Sequence, residues 1–287
     1  MSATLKMANI EHLILEKSGK IGGQIGLINN SLDDLIVGNI DSGNDLNLLL
    51  NEFQNDKELP VVLGCEVLEV DTNRNLVHVS SSGESEMYEY ENLVIATGCR
   101  LNTDARFIDS LFAEDIYYRI SDKLSDFQDG NIMIIGSGDN AAFAALKLKN
   151  IAKNIIMVSR SSDWKIREDL LEELKVMANV SMITNSQLLE LSGEKELSSC
   201  ILSYNNNIKT LNIDKIIFKI GYVPNTEFIG DSIRKNELNH IIVDKNFQSS
   251  VPNVFAIGDI VADSYKRISI SLGHGTFLAN YIIKNKL

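Results

Sequence analysis

The chain has 287 residues, 44% of them apolar, and a formal net charge of −12 at pH 7. That size and apolar content suit one large or two ordinary globular domains with a substantial core, and the acidic balance argues against nucleic acid or an anionic membrane surface as the main partner. Cys65, Cys99 and Cys200 are far apart, form no CxxC pair and leave an odd count, so neither a disulfide framework nor a zinc site is indicated and a reducing cytoplasm is the default expectation; no apolar run reaches the roughly 18 residues of a membrane span.

In chain order, the pattern predicts a helix within residues 1–9 and a strand over 12–15 that ends on Glu16, followed by a loop carrying Gly22, Gly23 and Gln24. Helix, strand ending in an acid and glycine loop form the back half of a nucleotide-binding βαβ unit, with no opening strand or glycine turn before Ser2. Residues 30–56 read as polar and irregular leading into a helix over 45–53, with Leu46, Leu49, Leu50 and Phe53 on one face. Short strands follow at 61–63, 66–70 and 76–79, the last two separated by the turn cluster 71–75. Leu93-Val94-Ile95-Ala96-Thr97-Gly98 is a buried strand running into glycine, and 102–130 is a connecting region.

The most informative stretch is 131–167. An apolar strand, 132–135, enters Gly136-Ser137-Gly138-Asp139-Asn140-Ala141; helix formers fill 141–148, and 155–158 is the next parallel strand. Glycines at the first and third positions permit a tight turn and close approach to a pyrophosphate, and Ala141 stands where helix and strand pack closely. After the second strand comes Val158-Ser159-Arg160-Ser161-Ser162, without the acid that bonds a ribose 2′-hydroxyl. Arg160, Ser161, Lys165 and Arg167 instead offer charge and hydroxyls suited to a 2′-phosphate. One well-placed charged hydrogen bond, about 1.5–3 kcal/mol, favours NADP over NAD roughly tenfold or more.

Beyond it the pattern predicts a helix over 168–178, strands at 180–183, 199–204 and 208–211 with a turn at Asn205-Asn206-Asn207, a strand over 213–220 ending in Gly221-Tyr222-Val223-Pro224-Asn225, and strands at 241–244 and 254–257. The latter closes with Gly258-Asp259, and a last helix covers 273–285.

Glu16, Gly22-Gly23-Gln24, Ala96-Thr97-Gly98, Gly136 to Ala141, Gly221 to Asn225 and Gly258-Asp259, in this order, resemble the low-molecular-weight thioredoxin reductase family of flavoproteins. The resemblance spans nearly the whole chain and is closest to the ferredoxin/flavodoxin–NADP reductase branch. It implies an α/β fold of two Rossmann-like dinucleotide-binding domains with small antiparallel inserts: an FAD domain from 1–112 and 223–287, lacking its first strand and glycine turn, and an NADP domain over 113–222. It assigns FAD to Glu16 (adenosine ribose), Gly22, Gly23, Gln24, Ala96, Thr97, Gly98, Gly258, Asp259 (ribityl and pyrophosphate) and the backbone of Arg267 and Ile268. It assigns NADP to Gly136, Gly138, Asp139, Asn140, Ala141, Arg160, Ser161, Arg167 and Gly221. His274, at the start of the last helix, either tunes the flavin or is structural.

The family's redox CxxC is absent; its place reads Ile116-Tyr117-Tyr118-Arg119-Ile120-Ser121-Asp122. Without two thiols the exchange route to a protein disulfide is closed. The implied activity is therefore hydride transfer from NADPH to FAD with no catalytic side chain, then on to a ferredoxin, flavodoxin or small-molecule acceptor, in a cytoplasmic homodimer. Two alternatives stand beside it: a degenerate nucleotide-binding protein without stable FAD, and a thioredoxin-disulfide reductase homologue using an external dithiol.

Overall fold

The computed structural model describes residues 1–28, 32, 40–108, 110–120, 124–205 and 207–287. Residues 30, 31 and 33–39 of the polar stretch, together with Ser121, Asp122 and Asn206, lie outside the described residues. The chain opens with α1 (Ser2–Met7), β1 (Ile14–Glu16), α2 (Gly43–Asp56) and β2 (Val61–Leu63), then β3 (Cys65–Asp71), β4 (Leu76–Ser81), β5 (Glu84–Glu89), β6 (Leu93–Ile95) and β7 (Cys99–Leu101). Next come β8 (Ile116–Tyr117), β9 (Asn131–Ile135), α3 (Asp139–Leu148), β10 (Asn154–Val158), α4 (Glu168–Lys175) and β11 (Val180–Ile183). These are followed by β12 (Ser186–Gly193), β13 (Leu197–Tyr204), β14 (Asn207–Asn212) and β15 (Lys215–Phe218), and the chain ends with β16 (Tyr222–Pro224), β17 (Val254–Ala256) and α5 (Ile268–Asn285). Two compact units result: Met1–Arg100 with Val223–Leu287, and Leu101–Tyr222. The chain passes between the units within β7 and returns within β16.

The second unit is built on a parallel sheet in the order β11-β10-β9-β15-β8. Its centre, β9, reads Ile132-Met133-Ile134-Ile135, an unbroken apolar run because both faces are covered. Ile132 and Ile134 face the α3 and α4 side with Ala141, Ala145, Leu148 and Leu174. Met133 and Ile135 face the other, against Leu188, Cys200 and Leu202 of the β12–β13 hairpin. The alternation is the strand's two-residue period made visible. Alanines at 141, 142, 144 and 145, all buried, allow α3 to lie close on the sheet.

In the first unit the parallel strands form two pairs, β1 with β2 and β6 with β17, and β3, β4 and β5 form an antiparallel meander. Leu15 of β1 and Leu93 of β6 both pack on the meander's Cys65–Val77–Val79 cluster. Phe255 of β17 is enclosed by Leu5 of α1 and by Leu278, Ala279 and Ile282 of α5.

Four expectations need correction. Residues 241–244 form no strand; Ile241 makes only isolated bridges to Lys235 and Val261. The last helix begins at Ile268 rather than Gly273, since nothing in 268–272 breaks a helix. Leu49 and Phe53 of α2 are exposed, whereas Leu46 and Asn47 are buried, because the helix packs on the Gly22–Gly26 loop with a polar residue at the contact. The connecting region contributes β8, whose two residues complete the sheet edge beside β15.

Candidate functional site

In the second unit, Gly136 ends β9 with φ 152°, and a Cβ there would sit 2.4 Å from the carbonyl oxygen of Lys219. Only glycine lets the chain leave the sheet so close to β15. Gly138 is the N-cap of α3, with its carbonyl accepting from the Ala141 amide at 2.9 Å, while Asp139, Asn140 and Ala141 form the first helical turn. The turn stands at the carboxyl end of β9, between β10 and β15. There the strand order departs in opposite directions, which is where open α/β sheets bind nucleotides.

The basic loop folds back on this turn. The Lys165 amide donates to the Ser137 carbonyl at 2.7 Å and Lys165 bridges Gly138. Arg167 is the N-cap residue of α4; its amide donates to Asp139 Oδ1 at 2.8 Å and its guanidinium pairs with Asp139 at 3.7 Å and Asp169 at 3.2 Å. It therefore neutralises the acid at the start of α3. Arg160 is exposed beyond β10, and Ser161 Oγ lies 3.0 Å from Ser159 Oγ. Asp104 is held below the usual carboxylate range by its hydrogen bonds from Arg106, with Arg160 adding to the effect, so an acid lies within the field of Arg160. Gly221 follows β15 with φ 92° and accepts from the Asn102 amide at 3.0 Å.

The first unit gathers the other residues at strand ends. Glu16 closes β1, with Oε1 accepting from the Ser18 amide at 2.7 Å. Gly22 (φ 107°) and Gly23 (φ 50°) lead a short 3-10 turn containing Gln24. That turn is shaped by a residue the sequence pattern did not single out: a Cβ on Gly22 would fall 1.7 Å from Asn47 Oδ1, and Asn51 Nδ2 donates to the Asn47 carbonyl at 2.7 Å. Two asparagines four apart on a helix beside leucines carry no signal by themselves. After Ala96, Thr97 and Asn225 bond reciprocally: Thr97 Oγ1 donates to the Asn225 carbonyl and Asn225 Nδ2 to the Thr97 carbonyl, both at 2.8 Å. The Asn225 amide also donates to the carbonyl of Gly98 (φ 62°) at 3.0 Å.

Gly258 (φ 76°) and Asp259 turn between β17 and α5. Ser271 Oγ donates to Asp259 Oδ1 at 3.4 Å, the Lys266 ammonium to the Asp259 carbonyl at 2.9 Å, and the Gly258 amide to His274 Nδ1 at 3.2 Å. His274 thus sits inside the helix as an acceptor, its ring 4.4 Å from that of Phe247, and burial holds its pKa below the ordinary histidine value. Burial raises the Asp259 carboxyl. Arg267 is the N-cap of α5 and Ile268 its first residue.

The residues suit their dinucleotides unevenly. In the second unit a glycine turn feeds a ten-residue helix at the sheet's switch point, which fits a pyrophosphate. In the first, an acid at a strand end, glycines with positive φ and a part-buried aspartate at the head of a helix fit the ribose and ribityl portions of FAD. No glycine turn opening onto a helix is found there among the described residues.

The family model described as pyridine nucleotide-disulphide oxidoreductase matches residues 4–275. The chain belongs to this family. Its members are FAD-dependent oxidoreductases working with NAD(P)H. Among curated relatives, an alkyl hydroperoxide reductase subunit of Staphylococcus aureus is 25% identical over 275 residues, covering 93% of this chain and 54% of that protein. The Staphylococcus epidermidis counterpart is 24% identical over 277 residues with the same coverage. The chain thus spans about half the length of these relatives. Thioredoxin reductase of Lactococcus lactis superposes with a TM-score of 0.82 at 19% identity, covering 100% of this chain and 95% of that one. Bacillithiol disulfide reductase of Bacillus cereus gives 0.80 at 17%, covering 99% and 94%. The family's two-domain, Rossmann-type α/β architecture is therefore the fold of this chain.

Proposed function

We propose that this member of the pyridine nucleotide-disulphide oxidoreductases takes hydride from NADPH into FAD and delivers the electrons to a non-dithiol acceptor, such as a ferredoxin or flavodoxin or a small oxidant. The observation that carries the reading is the Gly136–Ala141 turn at the carboxyl end of β9. FAD, when bound, supplies hydride acceptance and onward electron release; the protein supplies binding, orientation and electrostatics.

In this reading α3 meets the pyrophosphate with its positive end, Gly136 and Gly138 allow backbone approach, and Arg167 cancels the charge of Asp139 that would otherwise repel phosphate. Arg160 and Ser161 meet the adenosine 2′-phosphate, a preference for NADPH moderated by the nearby Asp104. Glu16, the Gly22–Gln24 turn, Thr97, Gly98, Asp259 and the backbone of Arg267 and Ile268 hold FAD. A non-dithiol acceptor is supported by the cysteines, all three buried and unpaired, with thiols that burial pushes above their ordinary pKa. Reduced buried thiols also suit a cytoplasmic protein. Leu272 and Phe277, exposed on α5, suit a homodimer.

An absorption spectrum of the purified protein, before and after NADPH under anaerobic conditions, tests the reading. Flavin bands that bleach on addition support it; absent bands even after supplying FAD, with NADPH still bound, support a nucleotide-binding protein without stable FAD. A second reading keeps disulfide chemistry with a dithiol supplied by another protein, and the family's description favours it. NADPH-dependent reduction of thioredoxin by the pure protein would establish that route.

A further inference from the structure

The basic loop approaches the glycine turn from the β10 side. Opposite it, on the β15 side, stands a lysine that the motif pattern did not single out. Phe218 of β15 is in register with Ile135 of β9, so Lys219 and Gly136 are the next residues at the two carboxyl ends. The Lys219 amide donates to the Ile135 carbonyl at 2.7 Å, and a Cβ on Gly136 would lie 3.0 Å from that of Lys219. The side chain therefore starts at the glycine turn. Its ammonium donates to the Tyr118 carbonyl, beyond the end of β8, at 3.0 Å. Among the described residues, Arg119, on the same segment, and Lys147 of α3 are the charged groups acting on it, and both are cations. A half-buried ammonium among cations, on a side chain that leaves the sheet at the glycine turn of a switch point, is an environment completed by an anion.

We propose that Lys219 is a nucleotide-binding residue, whose ammonium meets the dinucleotide pyrophosphate from the side opposite the Arg160–Arg167 loop. The proposal rests on the nucleotide reading of the second unit. It explains why a lysine, rather than an apolar residue, extends β15 from the run Ile216-Ile217-Phe218. It also predicts a proton linkage. Burial, then Arg119 and Lys147, lower the Lys219 pKa to about 8; a bound pyrophosphate favours the charged form and raises it again. NADPH binding then takes up a proton above pH 8, and affinity falls with rising pH by up to about tenfold per unit. The 2′-phosphate titrates near pH 6, so its own effect lies on the other limb.

The test is an anaerobic NADPH titration of the full chain with any bound flavin reduced beforehand, so that no hydride leaves the nucleotide, followed by nicotinamide fluorescence from pH 6.5 to 9.5. Wild type is expected to lose affinity above pH 8. Lys219→Met is expected to bind about tenfold or more weakly at pH 7 with that limb gone. Lys219→Arg, charged throughout the range, is expected to bind near the wild-type level at pH 7 and also to lose the limb. Circular dichroism and melting temperature establish that both variants are folded. If Lys219→Met binds within twofold of wild type and keeps the alkaline fall, the ammonium only secures the Tyr118 carbonyl and the proposal is overturned, while nucleotide binding stands. If wild type binds no NADPH at any pH, the nucleotide reading falls and this proposal with it.

Discussion

Gly136→Ala tests the glycine turn most directly. The new methyl would stand 2.4 Å from the Lys219 carbonyl oxygen on a residue with φ 152°, where a comfortable contact needs roughly 3.5 Å. An opening of about 1 Å would have to form between β9 and β15, where the Lys219 amide is held to the Ile135 carbonyl at 2.7 Å. The contact is with backbone and cannot be relieved by a rotamer change. Backbone strain costs about 1–3 kcal/mol and overpacking about 1–3 kcal/mol, so a loss of about 4 kcal/mol is central. Gly221→Ala is the control: φ is 92°, but nothing lies within 4 Å of its added Cβ, so only the strain applies. Urea unfolding of the full chain by circular dichroism should show Gly136→Ala well below Gly221→Ala in midpoint, and fluorescence titration should show NADPH binding weakened in the former. Equal midpoints for the two variants would refute the packing argument, and unaltered NADPH affinity in Gly136→Ala would refute the role of the turn.

Three further outcomes follow from the same geometry. Burial pushes the Cys200 thiol up to about 11 and keeps Cys65 and Cys99 above the ordinary value, so the native protein should show no fast thiol release with Ellman's reagent at pH 8; one rapid equivalent contradicts this. Asp115, buried, accepts from the Leu197 amide at 2.8 Å and from the Lys215 ammonium. Asp115→Ala should cost about 3–5 kcal/mol in urea unfolding, and a loss under about 1 kcal/mol would show the pair to be dispensable. His240 and His274 are held low by burial, His240 also by Lys266. Their folded pKa values lie below the unfolded value, so their stability contribution is present above about pH 6.5 and is lost as pH falls through the folded values. The melting temperature should drop more steeply on acidification in wild type than in His240→Gln/His274→Gln, and parallel curves would exclude the histidines.

Legibility varied with how local the determining physics is. The β9–α3–β10 unit could be read because an apolar strand, a glycine turn and an alanine-rich helix each state their own geometry. Strand β12 went unread: Ser186-Gln187-Leu188-Leu189-Glu190 is only weakly alternating, and its strand state comes from pairing with β13 and from burying Leu188. Residues 241–244 erred the other way, since Ile241 is buried in the core with only isolated bridges while Ile242 stays exposed, so the run has no continuous strand partner. At the sites, glycines and acids announced themselves, but the groups that fix them did not. Asn47 beneath Gly22, Ser271 on Asp259 and Lys219 beside Gly136 are distant in sequence from the turns they touch, and each is an ordinary residue type for a helix or strand end.

Strand β5 has a consequence for how the chain behaves in company. It is the outer strand of its meander, and Glu84, Glu86 and Glu89 are exposed along it. An outermost strand offers unpaired amides and carbonyls to any passing chain, and the usual defence is charge on the edge. Here a second copy aligning its own β5 would bring like carboxylates together, and the net charge of −12 adds to the repulsion. The acidity of this segment, uninformative about nucleotides, works as protection against sheet-to-sheet aggregation. It should weaken as carboxylates protonate in mild acid or are screened by salt.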